Sequence, residues 1–164
     1  MELQKGDIKH ILYTTDFSEN GKHVYAYAER IANQFNARLT LLHVVQEDLL
    51  DLLIFDVGID RAAGVQKRLS IVKEHFQDAK DKVIEKIKAE YGREAISEEN
   101  IVVEKGNPVK MILRVAEEKN CDLIVMGKKG RASLEDTMMG DTVRRVLHRS
   151  KIPVLVVQAS DEKR

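Results

Sequence analysis

The chain has 164 residues, 43% of them apolar and 33% charged, with 27 Lys and Arg balancing 27 Asp and Glu. That length suits one domain, spanning 1–164, that buries about two thirds of the surface its unfolded chain exposes, and a formal charge of zero gives no electrostatic pointer to nucleic acid or a membrane surface. A single cysteine, Cys121, and the lack of tryptophan exclude an internal disulfide and a cysteine-based metal cluster and leave little for a base-stacking platform. No apolar run reaches bilayer-spanning length. The N-terminal residues MELQKGDIKH lack the apolar core of a signal peptide, so the expected location is cytoplasmic.

The first predicted strand covers residues 8–15 (IKHILYTT) and ends at Asp16-Phe17-Ser18, with Ser18 placed to cap a helix. That helix is predicted to run to about Asn36, with Tyr27, Ile31 and Phe35 on one face. Residues 38–45 (RLTLLHVV) form a second, mostly apolar strand of the kind that suits a parallel sheet covered on both faces. Residues 46–64 are apolar without clean periodicity and read as a loop, lid or contact surface, the most mobile ordered part of the chain. A long helix starts near Val65, where Leu69, Val72, Phe76, Ala79, Val83, Ile87 and Tyr91 recur at three- and four-residue steps, and Gly92 stops it. Its other positions are Lys, Glu, Asp and Gln, a solvated face.

Residues 101–105 make a short third strand. In Gly106-Asn107-Pro108, Asn107 is placed to cap and Pro108 to open a helix that reaches Lys119 and offers Ile112, Leu113, Val115 and Ala116 for burial. The fourth strand, 123–126, runs into Gly127 and Gly130. A helix resumes at Gly140 and continues to Arg149, and residues 153–157 are the fifth strand. The tail, ASDEKR, is polar and expected to fray.

Strands alternating with helices in this way predict an α/β domain with a parallel sheet and right-handed crossovers. Ligands in such sheets lie beyond the carboxyl ends of the strands, where strand order reverses. Two carboxyl ends carry chemistry: Asp16 after the first strand, and the glycine segment LIVMGKKGRASLEDTMMGD after the fourth. A buried strand that runs through glycines into a helix start lets backbone approach a phosphate and turns free N–H groups toward it. The same spacing also describes a plain turn followed by an uncrowded helix start.

ILYTTDFSE, LLHVV, GNPVKMI, KIPVLVV and the spacing of Gly127, Gly130 and Gly140 resemble the universal stress protein family over nearly the whole chain. The resemblance implies a doubly wound five-stranded parallel sheet of order 3-2-1-4-5 with helices on both faces, a homodimer through the last strand, and binding of AMP or ATP. It places Asp16, with Thr14 and Thr15 before it, on the ribose or adenine side. Val44 would meet the adenine with its backbone. Met126 and Gly127 would border the ribose, Lys129 and Gly130 the phosphates, and Gly140, Asp141 and Thr142 would close on the phosphates. Two residues depart from the family pattern: Thr14 stands where many members have proline, and Asp141 where nucleotide binders carry Ser or Thr. A hydroxyl donates to a phosphate oxygen and an ionised carboxylate cannot, so Asp141 favours AMP over free ATP, unless magnesium bridges it to the outer phosphates.

Lys128, Lys129 and Arg131 add positive charge beside these glycines. The five histidines are scattered without metal-ligand spacing, and His43 reads as a core or edge residue. Cys121 reads as a small inert hydrophobe. Ser18 and Ser133 lack a nucleophile elbow, and no Walker A sequence is present. The expected function is an adenine-nucleotide-binding stress-response module. Its rivals are a slow ATP hydrolase with a metal on Asp16 or Asp141, and a structural or partner-binding dimer with no nucleotide.

Overall fold

A computed structural model describes residues 7–46, 65–92, 96–129 and 139–158, with backbone only at 65–69, 71, 72 and 75. The predicted lid at 46–64, apart from Gln46, lies outside the described residues, as do Gly130, Arg131, Ser133 and the tail from 159. The described elements are β1 (His10–Thr15), α1 (Gly21–Phe35), β2 (Arg38–Val45), α2 (Val65–Tyr91), β3 (Ile101–Lys105), α3 (Pro108–Glu118), β4 (Leu123–Gly127), α4 (Asp141–Arg149) and β5 (Val154–Val157). A 3-10 turn, Glu98–Asn100, leads into β3.

All strand pairings among the described residues are parallel, in the order β3-β2-β1-β4-β5. The doubly wound fold implied by the family resemblance is the fold observed. Alternation along each strand decides which layer a side chain joins. Ile11, Tyr13, Leu41, Leu123 and Val125 pack with Val24, Tyr25, Ala28, Ile84 and Ile87 of α1 and α2. Leu12, Leu42, Ile124 and Met126 pack on the opposite face with Val109, Ile112, Val115, Val143 and Val146 of α3 and α4. The strands read as continuous apolar runs because both faces are covered. No helix of the described residues is long and apolar enough to cross a membrane.

Local corrections follow from packing. Helix α1 begins at Gly21 with Asn20 at the cap, not Ser18. The Ser18 carbonyl instead accepts the Gly21 N–H at 2.9 Å, so the chain makes an extra turn before the helix. The buried stripe of α1 is Gly21, Val24, Tyr25, Ala28 and Ala32, whereas Tyr27 and Phe35 remain 45% and 53% exposed. Small residues face the sheet because they let the helix approach it closely. Among the described side chains of α2 the buried ones are Ile84 and Ile87, with Val83 and Tyr91 packed at their edge. Asn107 caps α3 as expected, its side chain accepting the Lys110 N–H at 3.2 Å.

His10 fastens the amino-terminal edge of the sheet. Its Nδ1 faces the Lys119 carbonyl at 2.9 Å and therefore carries the proton. Its Nε2 then accepts from the Thr40 hydroxyl at 2.8 Å. Burial foremost, with the nearby Arg38 and Lys119 charges, lowers its pKa from the ordinary 6.5 despite the opposing Lys119 hydrogen bond and Asp122 charge. With the folded value depressed, the unfolded chain takes up the proton first. The stability His10 supplies is therefore complete above about pH 6.5 and is lost as pH falls through the folded value. The urea midpoint should fall between about pH 7.5 and about pH 5.5, and fall less in His10→Gln, which cannot titrate. That variant should also cost about 1–3 kcal/mol at neutral pH through its broken buried hydrogen bonds. Superimposable pH profiles for the two proteins would refute this account of His10.

Candidate functional site

Strand β1 lies between β2 and β4, and the chain steps from β1 to β2 but returns past β1 from β3 to β4. The order therefore reverses between β1 and β4, and the crevice opens beyond their carboxyl ends. The register pairs Tyr13 with Val125, which puts Thr15 level with Gly127. Asp16 and Lys128 follow at the rim.

On the β1 side, the Asp16 carboxylate accepts the Ser18 N–H at 3.1 Å, closing a turn on itself. Between them Phe17 adopts a left-handed conformation, φ 58°, a strained state for a bulky residue that persists only where its surroundings impose it. They do: the His43 ring lies 4.5 Å from the Phe17 ring and the Lys86 ammonium sits 4.1 Å above it. His43 in turn donates from Nδ1 to the Thr15 carbonyl at 2.8 Å. Thr15 is buried, and its hydroxyl accepts the Phe17 N–H at 3.1 Å and meets the Tyr91 hydroxyl at 3.0 Å. Its side chain thus shapes the turn from the α1–α2 side. Thr14 points to the other face and is half-buried. Val44, one residue from the end of β2, is half-buried against the α3–α4 layer and paired with Glu104.

On the β4 side, Met126 is buried and Gly127 is the last strand residue. A Cβ on Gly127 would stand 3.3 Å from Val24 Cγ2 and 3.5 Å from the Lys129 carbonyl oxygen. The Lys128 N–H donates to Val157 at the end of β5 at 2.8 Å, and the Lys128 carbonyl accepts the Gly140 N–H at 2.9 Å. That last bond joins the two ends of the excursion from 129 to 139 and brings the start of α4 back beside Gly127. The amides of Asp141, Thr142 and Val143 then occupy the first turn of α4, where a helix leaves N–H groups without intrahelical acceptors. The Asp141 carboxylate is exposed and turned along its own helix, to Arg144 at 2.7 Å and Arg145 at 3.5 Å. Arg144 foremost holds its carboxyl below the ordinary carboxylate range. A depression along α4, lined by Asp141, Arg144, Arg145, Leu147, His148 and Arg149, shares only Asp141 with the candidate set among the described residues.

Of the residues singled out in the sequence, Asp16, Gly127, Lys128, Gly140, Asp141 and Thr142 therefore meet at one end of the sheet, with Thr14, Thr15 and Met126 beneath them. Val44 stands one strand away. Phe17, Lys86, Tyr13 and Tyr91 were not singled out as part of this site. The available signal was chemical: a buried Tyr13 and a partly buried Tyr91 need partners for their hydroxyls. Among the described residues no group of three His, Cys, Asp or Glu side chains is gathered as for a metal. Cys121 is buried away from this end, and burial pushes its thiol up to about 11, a thiol held as an unreactive apolar group.

The fold is a doubly wound α/β sheet with polar residues gathered at its switch point. The profile of the universal stress protein family matches residues 7–158, and the chain belongs to that family. Universal stress protein MJ0577 of Methanocaldococcus jannaschii is 31% identical over 160 residues, covering 92% of this chain and 94% of the relative. A second protein of that organism, universal stress protein MJ0531, is 33% identical over 150 residues, covering 92% and 82%. The solved structure of MJ0577 superposes with a TM-score of 0.68 at 25% identity, covering 94% of this chain and 99% of that one. A crystal structure of a universal stress protein in complex with cAMP shares the fold, with a TM-score of 0.55 at 20% identity and coverage of 94% and 99%.

Proposed function

We propose that the chain binds an adenine nucleotide, AMP or ATP, in the cleft between β1 and β4 and acts in the cytoplasm as a stress-response regulatory or interaction module. The observation that carries this reading is the Gly140 N–H to Lys128 carbonyl bond, 2.9 Å, which sets the first turn of α4 beside Gly127. One small opening then offers helix-start amides to phosphate oxygens, a glycine edge for close approach, and an Asp16 carboxylate that can accept from a ribose hydroxyl or an adenine amino group. Lys128, Lys129 and Arg131 supply positive charge. Gly130 would complete the phosphate loop. Thr14 and Thr15 support Asp16, while Val44 and Met126 form the adenine and ribose walls. A family member solved as a complex with cAMP supports an adenine ligand.

Magnesium would find Asp16 or Asp141 as a protein ligand and take its other oxygens from phosphate and water. The reading is of a binding module, with slow metal-dependent hydrolysis as its rival. Thermal unfolding with AMP, ATP or GTP, with and without magnesium, tests it. A ligand of the folded state at 100 times its Kd stabilises by about 2.7 kcal/mol, so the adenine nucleotides should raise the midpoint by several degrees. No shift with any nucleotide would leave the nucleotide-independent dimer standing, and phosphate release above a protein-free control would favour the hydrolase.

The same reading includes a homodimer through β5. Among the described residues β5 pairs only with β4, and its Val154, Leu155 and Val156 are half-buried. An apolar strand edge of this kind invites pairing, and symmetric pairing with a second copy covers it. Light scattering at micromolar concentration should return twice the 18.7 kDa chain mass; a monomer mass would rule this dimer out.

A further inference from the structure

Four hydroxyl contacts link the two ends of the β1–α1 connection through the last residue of α2. The Tyr13 hydroxyl donates to the Gly21 carbonyl at 2.9 Å. It also meets the Tyr91 hydroxyl at 3.0 Å, which meets the Thr15 hydroxyl at 3.0 Å, which accepts the Phe17 N–H at 3.1 Å. A hydroxyl has one proton to give. With the Tyr13 proton committed to the Gly21 carbonyl, Tyr91 must donate to Tyr13, and Thr15 must then donate to Tyr91. Every bond in the chain therefore points the same way, from the Phe17 amide to the Gly21 carbonyl, and Tyr91 is the middle link.

We propose that Tyr91 is a positioning residue for the nucleotide site: its hydroxyl, brought from α2, holds the Asp16–Ser18 turn in the shape that presents Asp16 to the ligand. The inference rests on the nucleotide reading above. Its geometry is specific to a hydroxyl. The Tyr91 ring packs 4.8 Å from the Tyr25 ring and edge-on at 6.1 Å to the Tyr13 ring, contacts that phenylalanine would keep. The hydroxyl itself reaches a space kept open by Gly21, where a Cβ would stand 2.8 Å from it. Lys86, five residues earlier on α2, covers the Phe17 ring. The C-terminal turns of α2 thus hold Phe17 from both sides, by a hydrogen-bonded chain at its amide and a cation over its ring. Burial foremost raises the Tyr91 pKa, which keeps the hydroxyl a donor at physiological pH.

Tyr91→Phe tests this with two readouts. Amide exchange at Phe17 and Ser18 should quicken about tenfold or more, while the β1 amides of Ile11 and Leu12 keep their rates. ATP or AMP affinity should fall about five- to tenfold in the wild-type background and not at all in an Asp16→Asn background, since a residue acting through Asp16 has nothing left to position. Gly21→Ala, which crowds the hydroxyl from its other side and leaves Tyr91 intact, should reproduce both effects. Unchanged exchange at Phe17 and Ser18, quickened exchange with unchanged affinity, or equal affinity losses in the two Asp16 backgrounds would each overturn the assignment. If the wild-type protein binds no nucleotide, the functional reading fails by that result, and the exchange arm still decides whether Tyr91 fixes the turn.

Discussion

Gly127→Val should abolish nucleotide binding, with a loss of at least 100-fold in affinity. Gly127 ends β4 at the carboxyl end of the sheet, level with Thr15, and a side chain there, wedged between Val24 and the Lys129 carbonyl, would displace the backbone that has to approach a ligand closely. A Cβ at this position would already press on Val24 Cγ2 at 3.3 Å, and Val24 is a buried residue of α1. The two further methyl groups of valine therefore overpack the α1 layer, at a cost of about 1–3 kcal/mol. Gly127→Ala should separate the two effects: it adds only the methyl group that meets Val24, lowers the melting midpoint less than valine does, and still weakens binding. Gly130→Val, expected from the glycine spacing to block the phosphates as well, is the parallel test on the loop. Unchanged affinity in all three variants would reduce this segment to a turn.

Asp141→Ser should strengthen binding of metal-free ATP by about tenfold and leave AMP nearly unaffected. Asp141 opens α4, where its charge is favourable to the helix dipole but opposes a phosphate chain arriving at the same amides. Arg144 and Arg145 take hold of the carboxylate at 2.7 and 3.5 Å and moderate that opposition. Serine would remove the negative charge, restore a hydroxyl donor, and release both guanidinium groups from their partner. The three changes act in one direction for a triphosphate. For AMP, whose single phosphate can remain near Gly127, they act weakly. The gain for ATP should shrink at high salt, because the groups are exposed and screened, and with magnesium, which can bridge the wild-type carboxylate to phosphate. Calorimetry of both proteins with both nucleotides measures it. Equal affinities for metal-free ATP would mean that Asp141 points away from the phosphates and would contradict this account.

Much of the fold was legible because the strands are buried on both faces. Runs such as RLTLLHVV and IVVEK stand out between amphipathic helices, and β2 and β3 begin and end at the expected residues. Strand order came from the family resemblance, since alternation alone does not specify which neighbours pair. Of the predicted α1 face, Ile31 packs partly buried against the core, while the bulkier Tyr27 and Phe35 stay exposed and Ala28 and Ala32 take their place. Packing against a sheet rewards close approach as well as hydrophobicity, and the alanines won. The start of α1 was misplaced because the Ser18 carbonyl accepts the Gly21 N–H in an extra turn before the helix.

At the candidate site, the sequence supplied residues at strand ends and helix starts, where backbone rules apply. It did not reveal that Tyr13 and Tyr91, 78 residues apart, share a hydrogen bond, because no local pattern encodes such a contact. Nor did it reveal the left-handed Phe17, whose conformation is imposed by His43 and Lys86 from other elements. Sequence spacing marked which strand ends carry polar and glycine residues, the structure shows those strands to be neighbours, and the supports of the Asp16 turn became visible only in three dimensions.

The central claim is that an adenine nucleotide occupies the cleft between β1 and β4, and amide-resolved NMR titration of the uniformly labelled protein with AMP and with ATP tests it most directly. The account predicts saturable shifts concentrated at Asp16 to Ser18, Val44 and Val45, Gly127 to Lys129, and Gly140 to Val143, with small responses at the far ends of the strands near His10 and Asp122. Shifts confined to α1 or the outer face of α4, or no saturable shifts at millimolar nucleotide, would contradict it.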